Sequence, residues 1–596
     1  MTIELILTMY LTDSKMRKRF SIVILCGVIL LSGLSVSFIS CTSGAKAERP
    51  NFVSDSLVAH FDYFTYKGED DFYKENPLPG DDYFYNPILP GWYSDPSVCT
   101  NGKDYFLVTS TFSYFPGVPI FHSTDMLNWK QVGHVLDRPE QLPLDGQRTS
   151  EGIFAPAISY NPHNETWYMI TTNIGRGNFF VKTKDPFGSW SAPIWLPDVG
   201  GIDPSFFFDD DGKAYIVNND VPDGGSTYDG HRAIRVTEFD VETDKTVGPS
   251  VMLVNGGVNL ADKPIWIEGP HLYKITGKYY LMCAEGGTSV NHREVIFRGD
   301  SPMGEFQPWE KNPILTQLHL NPHRERPVTS AGHADLIQKS NGQWWSVFLA
   351  CRPIGNQFEN LGRETFLMPV RWSKDGFPYM TKKEELVPRI IQMEGVKRAD
   401  SPTFGNFEQH DDFDTTKLGL EWMTLRGPGT ELYCLDENRG YLSLKCAEVA
   451  SNELKTPAFV GRRLQHHQFE CATSLYFNPR SEGEQAGMLM YKDEHHQYLL
   501  AVGTAGDQKQ VSLKKITGSE VETLAAKELP AGDGPIELKV SSTGTHFSFH
   551  YAFDGGETNL LIENIDAFYL STAQSYGFTG TTIGLYASCK TFEFSN

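Results

Sequence analysis

Positive charge is scarce in this chain. Its 596 residues carry 52 Lys and Arg against 74 Asp and Glu, a formal net charge of −22, which excludes a basic face for nucleic acid. An acidic surface of this kind keeps an exported protein soluble. Cysteine is sparse as well: there are nine, two of them at positions 26 and 41, and no CxxC pair occurs. The remaining seven are an odd number, which speaks against a metal cluster and against a disulfide framework. Most are expected as small buried apolar residues, with Cys434 and Cys446 the one pair to consider for a disulfide. A Gly-rich phosphate cradle is missing from the repeated segments, so no nucleotide or flavin cofactor is implied.

Long apolar runs are absent except at 20–39, which follows Arg17, Lys18 and Arg19 and ends at Ser40 and Cys41. This is the pattern of a signal peptide over residues 1–40. Its FISC ending resembles a bacterial lipoprotein cleavage box, with Cys41 as the lipidated first residue. The expected location is the periplasm or outer membrane, with a lipid anchor as the only membrane contact. Residues 41–82 then read as a polar, aromatic-flecked tether.

What the chain has in quantity is aromatic residues, 13 % of the total, and a repeat. Five segments share one grammar: DPSVCTNGKDYFLV from Asp95, APAISYNPHNETWYMI from Ala155, DPSFFFDDDGKAYIV from Asp203, EGPHLYKITGKYYLM from Glu268 and HADLIQKSNGQWWSV from His333. Each reads as a β-hairpin, because turn residues separate short runs of β-branched and aromatic residues. The spacing leaves room for two more strands per repeat, so the expected fold is all-β: a five-bladed β-propeller over 83–395. Residues 95, 155, 203, 268 and 333 should then converge at one mouth. From 411 onward the alternation continues without the repeat and without a helical period, which predicts an antiparallel β-sandwich over 403–596. The short linker favours a sandwich packed on the propeller over a separate carbohydrate-binding module.

Three of the five repeats open on a carboxylate. Glycosidic hydrolysis needs two carboxyl groups about the scissile bond, one protonated and one ionised, and an inverting enzyme spaces them to admit a water. A third acid nearby keeps the general acid protonated. Glu268, on EGPH, has the reach of a general acid, while Asp95 and Asp203 sit on DPS turns. His333 could orient Asp95, hold a water, or ligate a structural cation in the central channel. Arg363 in LGRET offers a planar fork to sugar hydroxyls or a catalytic carboxylate, the alternative being a surface ion pair with Glu364.

NPILPGWYSDPS, TSTFSYFPGVPIFHSTDMLNW, EGIFAPAISY, GIDPSFFFDDDGKAY, EGPHLYK, AGHADL and LGRETF together resemble glycoside hydrolase family 43, from about 86 to 380. The C-terminal part is similar to the concanavalin-like sandwich many members append. The resemblance implies an inverting β-xylosidase or α-L-arabinofuranosidase that requires no cofactor. It assigns Asp95 as general base, Glu268 as general acid and Asp203 as the acid that tunes and orients Glu268. It also implies Phe115, Ile153, His333 and Arg363 as substrate-binding residues. Glu151 and Phe154 depart from the family's usual residues, which bears on substrate choice. The expected function is release of terminal β-D-xylose from xylo-oligosaccharides or arabinoxylan, with α-L-arabinofuranosidase as alternative and a non-catalytic glycan-binding lipoprotein as the rival from another class.

Overall fold

A computed structural model describes residues 57–355, 358–435 and 440–590. The signal-like stretch and Cys41 lie outside the described residues. Each of the five repeats is a hairpin: Ser97–Thr100 with Tyr105–Val108, Ile153–Asn161 with Thr166–Asn173, Ile202–Phe208 with Ala214–Asp220, Glu268–Ile275 with Lys278–Glu285, and Thr329–Gln338 with Trp344–Cys351. The turns need a left-handed residue, and Gly102, Gly212, Gly277 and Gly342 supply it. Where the second repeat lacks that glycine, Glu165 takes φ 50° instead.

Each hairpin opens an antiparallel sheet. The first three sheets have four strands in sequential order, and the fourth has five. The fifth has three, ending in Glu364–Pro369. Residues upstream of the first sheet bond to this last strand: Asn86 Nδ2 donates to Leu367 O at 2.9 Å, and Ile88 N to Thr365 O at 2.9 Å. The serines of the two DPS turns stitch sheet to sheet. Ser97 Oγ donates to Asp335 of the fifth sheet at 2.8 Å and accepts Ile158 N–H of the second at 3.1 Å. Ser205 Oγ donates to Pro270 O of the fourth at 2.6 Å.

Two larger sheets follow. One of six strands contains Gln485–Asp493 and Thr582–Ser588, and one of eight contains Gln468–Tyr476 and Ile536–Thr543. Phe61, Met488, Leu500, Val540, Phe549 and Leu585 fill the core between them. The expected tether is corrected from residue 57 onward, the part of it that lies among the described residues. Val58–Gly68 is a strand of the eight-stranded sheet, paired with Gln468–Tyr476, Leu442–Lys445 and Glu408–Asp411. Its aromatics are the reason, since Phe61, Phe64 and Tyr66 bury their rings in the sandwich core.

The two halves also share a core of their own. Trp92, Phe112 and Tyr114 from the first pack with Met423, Leu425, Phe459, Leu489, Tyr491 and Tyr586 from the second. Tyr114–Phe115 also pairs as a strand with Thr424–Leu425. Each aromatic so buried contributes about 1.5–3 kcal/mol, so the halves are packed together rather than strung on a linker. All seven cysteines of the described part are free, including Cys434 and Cys446, so the disulfide considered for that pair is not formed.

Candidate active site

The position before the proline of each repeat is held in left-handed backbone: φ is 52° at Asp95, 33° at Ala155, 53° at Asp203 and 54° at Gly269. His333, before Ala334, has φ 51°. In four of the five strands the ladder register also breaks around that position. A left-handed residue at a break in pairing is bulge geometry, which bends a strand and re-aims a side chain. Four side chains other than glycine held at positive φ are strain of the kind that clusters at functional sites.

This phase corrects one expectation. The residue of the fourth repeat equivalent to Asp95 and Asp203 is Gly269, and Glu268 stands one residue earlier, still paired with Ala284. Neighbouring strand positions face opposite sides, and the offset together with the longer side chain brings Glu268 into the cavity from a different angle. Gly269 has its own use. A Cβ there would stand 2.9 Å from the His333 ring, and its N–H donates to Asp203 Oδ2 at 3.1 Å. Gly269→Ala is therefore expected to displace both His333 and Asp203 and to lower kcat/KM about 100-fold, with a melting curve recording whether the fold survives.

A cavity of about 540 Å³ is lined by Asp95, Asp203, Glu268, His333 and Arg363 together. Asp95 is buried; its Oδ2 accepts the Ser110 hydroxyl at 2.6 Å, and Arg363 Nη1 lies 3.0 Å from its Oδ1. Arg363 thus serves a carboxylate of the cavity, and the surface pair with Glu364 does not form, because Glu364 is taken by Arg352 at 2.6 and 2.7 Å. Burial raises Glu268 to about 8, helped by the charges of Asp203 and Asp95 and opposed by Arg363 and Arg232. Asp203 rises to about 7, first from burial and then from Asp95, against the Gly269 N–H and Arg363. The two titrate as an interacting set, so one carboxyl of the site keeps a proton near neutral pH. His333 is pushed down to about 4 by burial and is neutral there; its Nδ1 is 3.9 Å from Asp95.

Two expected binding residues fall elsewhere. Phe115 and Ile153 are buried in the core between the first two sheets and do not line the cavity. Phe154, next to Ile153 on its strand, faces the other side and forms the wall together with Phe112, which precedes the short strand Tyr114–Phe115 and bridges to Ile153. Trp266, with Arg232 stacked on it at 4.6 Å, forms another part. The sandwich half contributes Phe578, which lies 4.9 Å from the Arg363 guanidinium and packs edge-on against Phe154 at 5.6 Å. Below, a void of about 10 Å³ is ringed by Pro96, Pro156, Pro204 and Pro270 and touched by His271 and His333. Among the described residues no group of three or more His, Cys, Asp or Glu side chains is placed to hold a metal ion.

The arrangement offers a protonated carboxyl, a second carboxyl group held by a guanidinium, and aromatic walls, which is the equipment for acid–base displacement on a sugar. Comparison with known proteins agrees. The model for glycosyl hydrolases family 43 matches residues 84–378, and that for the beta-xylosidase C-terminal concanavalin A-like domain matches 410–593. A xylosidase/arabinosidase of Butyrivibrio fibrisolvens is 39 % identical over 84 % of this chain and 95 % of its own. A non-reducing-end α-L-arabinofuranosidase of Bacteroides ovatus is 37 % identical over 85 % of this chain and 91 % of its own. The crystal structure of a family 43 protein retrieved from a capybara gut metagenome superposes with a TM-score of 0.83 at 41 % identity, covering 89 % of this chain and all of that one. With identity at this level spread over both halves, the chain belongs to glycoside hydrolase family 43, a β-propeller family, and carries the family's C-terminal β-sandwich.

Proposed function

We propose that the chain is an exo-acting β-xylosidase that releases terminal β-D-xylose from xylo-oligosaccharides by a single inverting displacement. The observation that carries this reading is the meeting of Asp95, Asp203 and Glu268, from three different sheets, in one cavity walled by aromatics. The five sheets are read as blades of one ring, supported by the Ser97–Asp335 bond between the first and the fifth. Glu268 donates its proton to the leaving oxygen. Asp95, fixed by Ser110 and Arg363, takes a proton from the water that attacks the anomeric carbon. Asp203 keeps Glu268 protonated through its charge and the Gly269 N–H it accepts. Neutral His333 and the Arg363 fork are placed for sugar hydroxyls, and Phe112, Phe154 and Phe578 for the ring faces.

Side-by-side hydrolysis of aryl β-D-xylopyranoside and aryl α-L-arabinofuranoside, with the anomer of the product read by NMR, tests this. Faster release of xylose as the inverted anomer is expected, and turnover of neither would overturn the reading. The second reading, α-L-arabinofuranosidase, is favoured by the name of the Bacteroides ovatus relative, and the same assay decides it. The proton held on Glu268 predicts that kcat/KM falls as pH rises through about 8. Asp203→Asn removes a charge that raises Glu268, so this basic limb is expected to move to lower pH; an unmoved limb would remove Asp203 from the tuning role. For residues 20–39 and Cys41 the proposal remains an export signal and a lipid attachment site, tested by loss of membrane association in Cys41→Ala.

A further inference from the structure

Phe578, the part of the cavity wall that the sandwich half supplies, is held by two grips. From the propeller half, Ser150 Oγ accepts the Phe578 N–H at 2.9 Å. From the sandwich, Lys492 Nζ donates to Tyr576 O at 3.3 Å and to Thr579 O, the two carbonyls that bracket Phe578. Lys492 lies on Gln485–Asp493, is 1 % exposed, and does not line the cavity. A lysine is almost never buried so completely unless its ammonium is engaged. Burial lowers it to about 8, while Asp493 and Glu359 favour its charge and Arg363 opposes it.

The backbone under this grip is strained. Tyr576 has φ 59° and ψ −155°, a conformation that belongs to glycine, and its side chain is 78 % exposed, so packing of its own ring does not hold it there. Gly577 follows at φ 76°, where an added Cβ would stand 2.5 Å from Ser150 Oγ. Such strain persists only where the surroundings over-determine it. Within the local chain Tyr576 N–H donates to Thr572 O at 2.8 Å and Ser575 Oγ to Tyr576 O at 3.1 Å; from outside it, the buried ammonium holds one side and the Ser150 hydroxyl the other. Their result is the Phe578 ring on the Arg363 guanidinium, whose Nη1 is 3.0 Å from Asp95.

We propose that Lys492 is a positioning residue for the reaction: its ammonium pins the 576–579 turn so that Phe578 walls the sugar pocket and seats Arg363. The inference rests on the reading of this cavity as the glycoside site. Lys492 acts through Phe578, so its effect should vanish when that ring is absent.

The test is a double-mutant cycle on the purified chain. Lys492→Met is expected to raise KM for aryl β-D-xylopyranoside about tenfold with kcat changed less than about threefold. Lys492→Arg should restore most of the loss, and in a Phe578→Ala background Lys492→Met should add little. Deuterium uptake should rise at 576–580 and not in the strands around it. An equal KM loss with and without the Phe578 ring, or unchanged uptake in that turn, would overturn the proposal. Should Lys492→Met not fold, Lys492→Gln, which keeps a donor, carries the same cycle. If the wild-type chain turns over neither glycoside, the reading of the cavity falls, while the exchange measurement still decides whether Lys492 holds the turn.

Discussion

Glu268→Gln is expected to cut turnover of xylobiose by about 10²–10⁴-fold while an aryl xyloside with a good leaving group keeps most of its rate. The difference follows from what the proton does. A sugar alkoxide is a poor leaving group and departs only as it is protonated; an activated phenolate departs without help. Burial and the neighbouring acids hold that proton on Glu268 up to about pH 8, and the amide of glutamine fills the same space without donating an acidic proton. Equal losses on both substrates would mean that Glu268 serves some other purpose.

Asp95→Asn is expected to suppress both substrates by about 10³-fold or more, since activation of water is needed whatever leaves. Asparagine suits the experiment because it tolerates the left-handed backbone, φ 52°, in which Asp95 is held. Alanine at that position would add strain to the loss of chemistry. Added azide should produce no glycosyl azide with retained configuration, and finding one would replace single displacement by a double displacement.

Much of this site could be read from residue order because the repeat carries its own coordinates. The turns announced the hairpins, and the prolines marked the positions that hold Asp95 and Asp203 in left-handed backbone, while His333, followed by Ala334, was marked only by its phase in the repeat. The same prolines marked Gly269 rather than Glu268, so the phase of the fourth repeat was legible in EGPH against DPS. Ile153 stands one strand face away from Phe154, an error that alternation makes all-or-none, and Phe115 is separated from Phe112 by the turn that Tyr114 N–H closes on Thr111 O. Phe112 and Phe154 were in the quoted segments, and Phe154 already stood out as a departure. Phe578 had no local signal, because what makes it part of the site is contact with Arg363, more than 200 residues earlier. Strand Val58–Gly68 was hidden for the same reason, since its partners lie some 400 residues away.

That strand also sets an order of assembly. Val58–Gly68 is the first strand of the described chain to emerge during synthesis, and its neighbour Gln468–Tyr476 comes late: the bond from Thr473 Oγ1 to Tyr63 O joins residues 410 apart. At roughly 5–20 residues per second, the strand waits on the order of half a minute for its partner. Over that interval Phe61, Phe64 and Tyr66 have no sheet to enter. The sandwich therefore cannot be completed from its own segment as it emerges, and any premature partner for this aromatic strand competes with the native one.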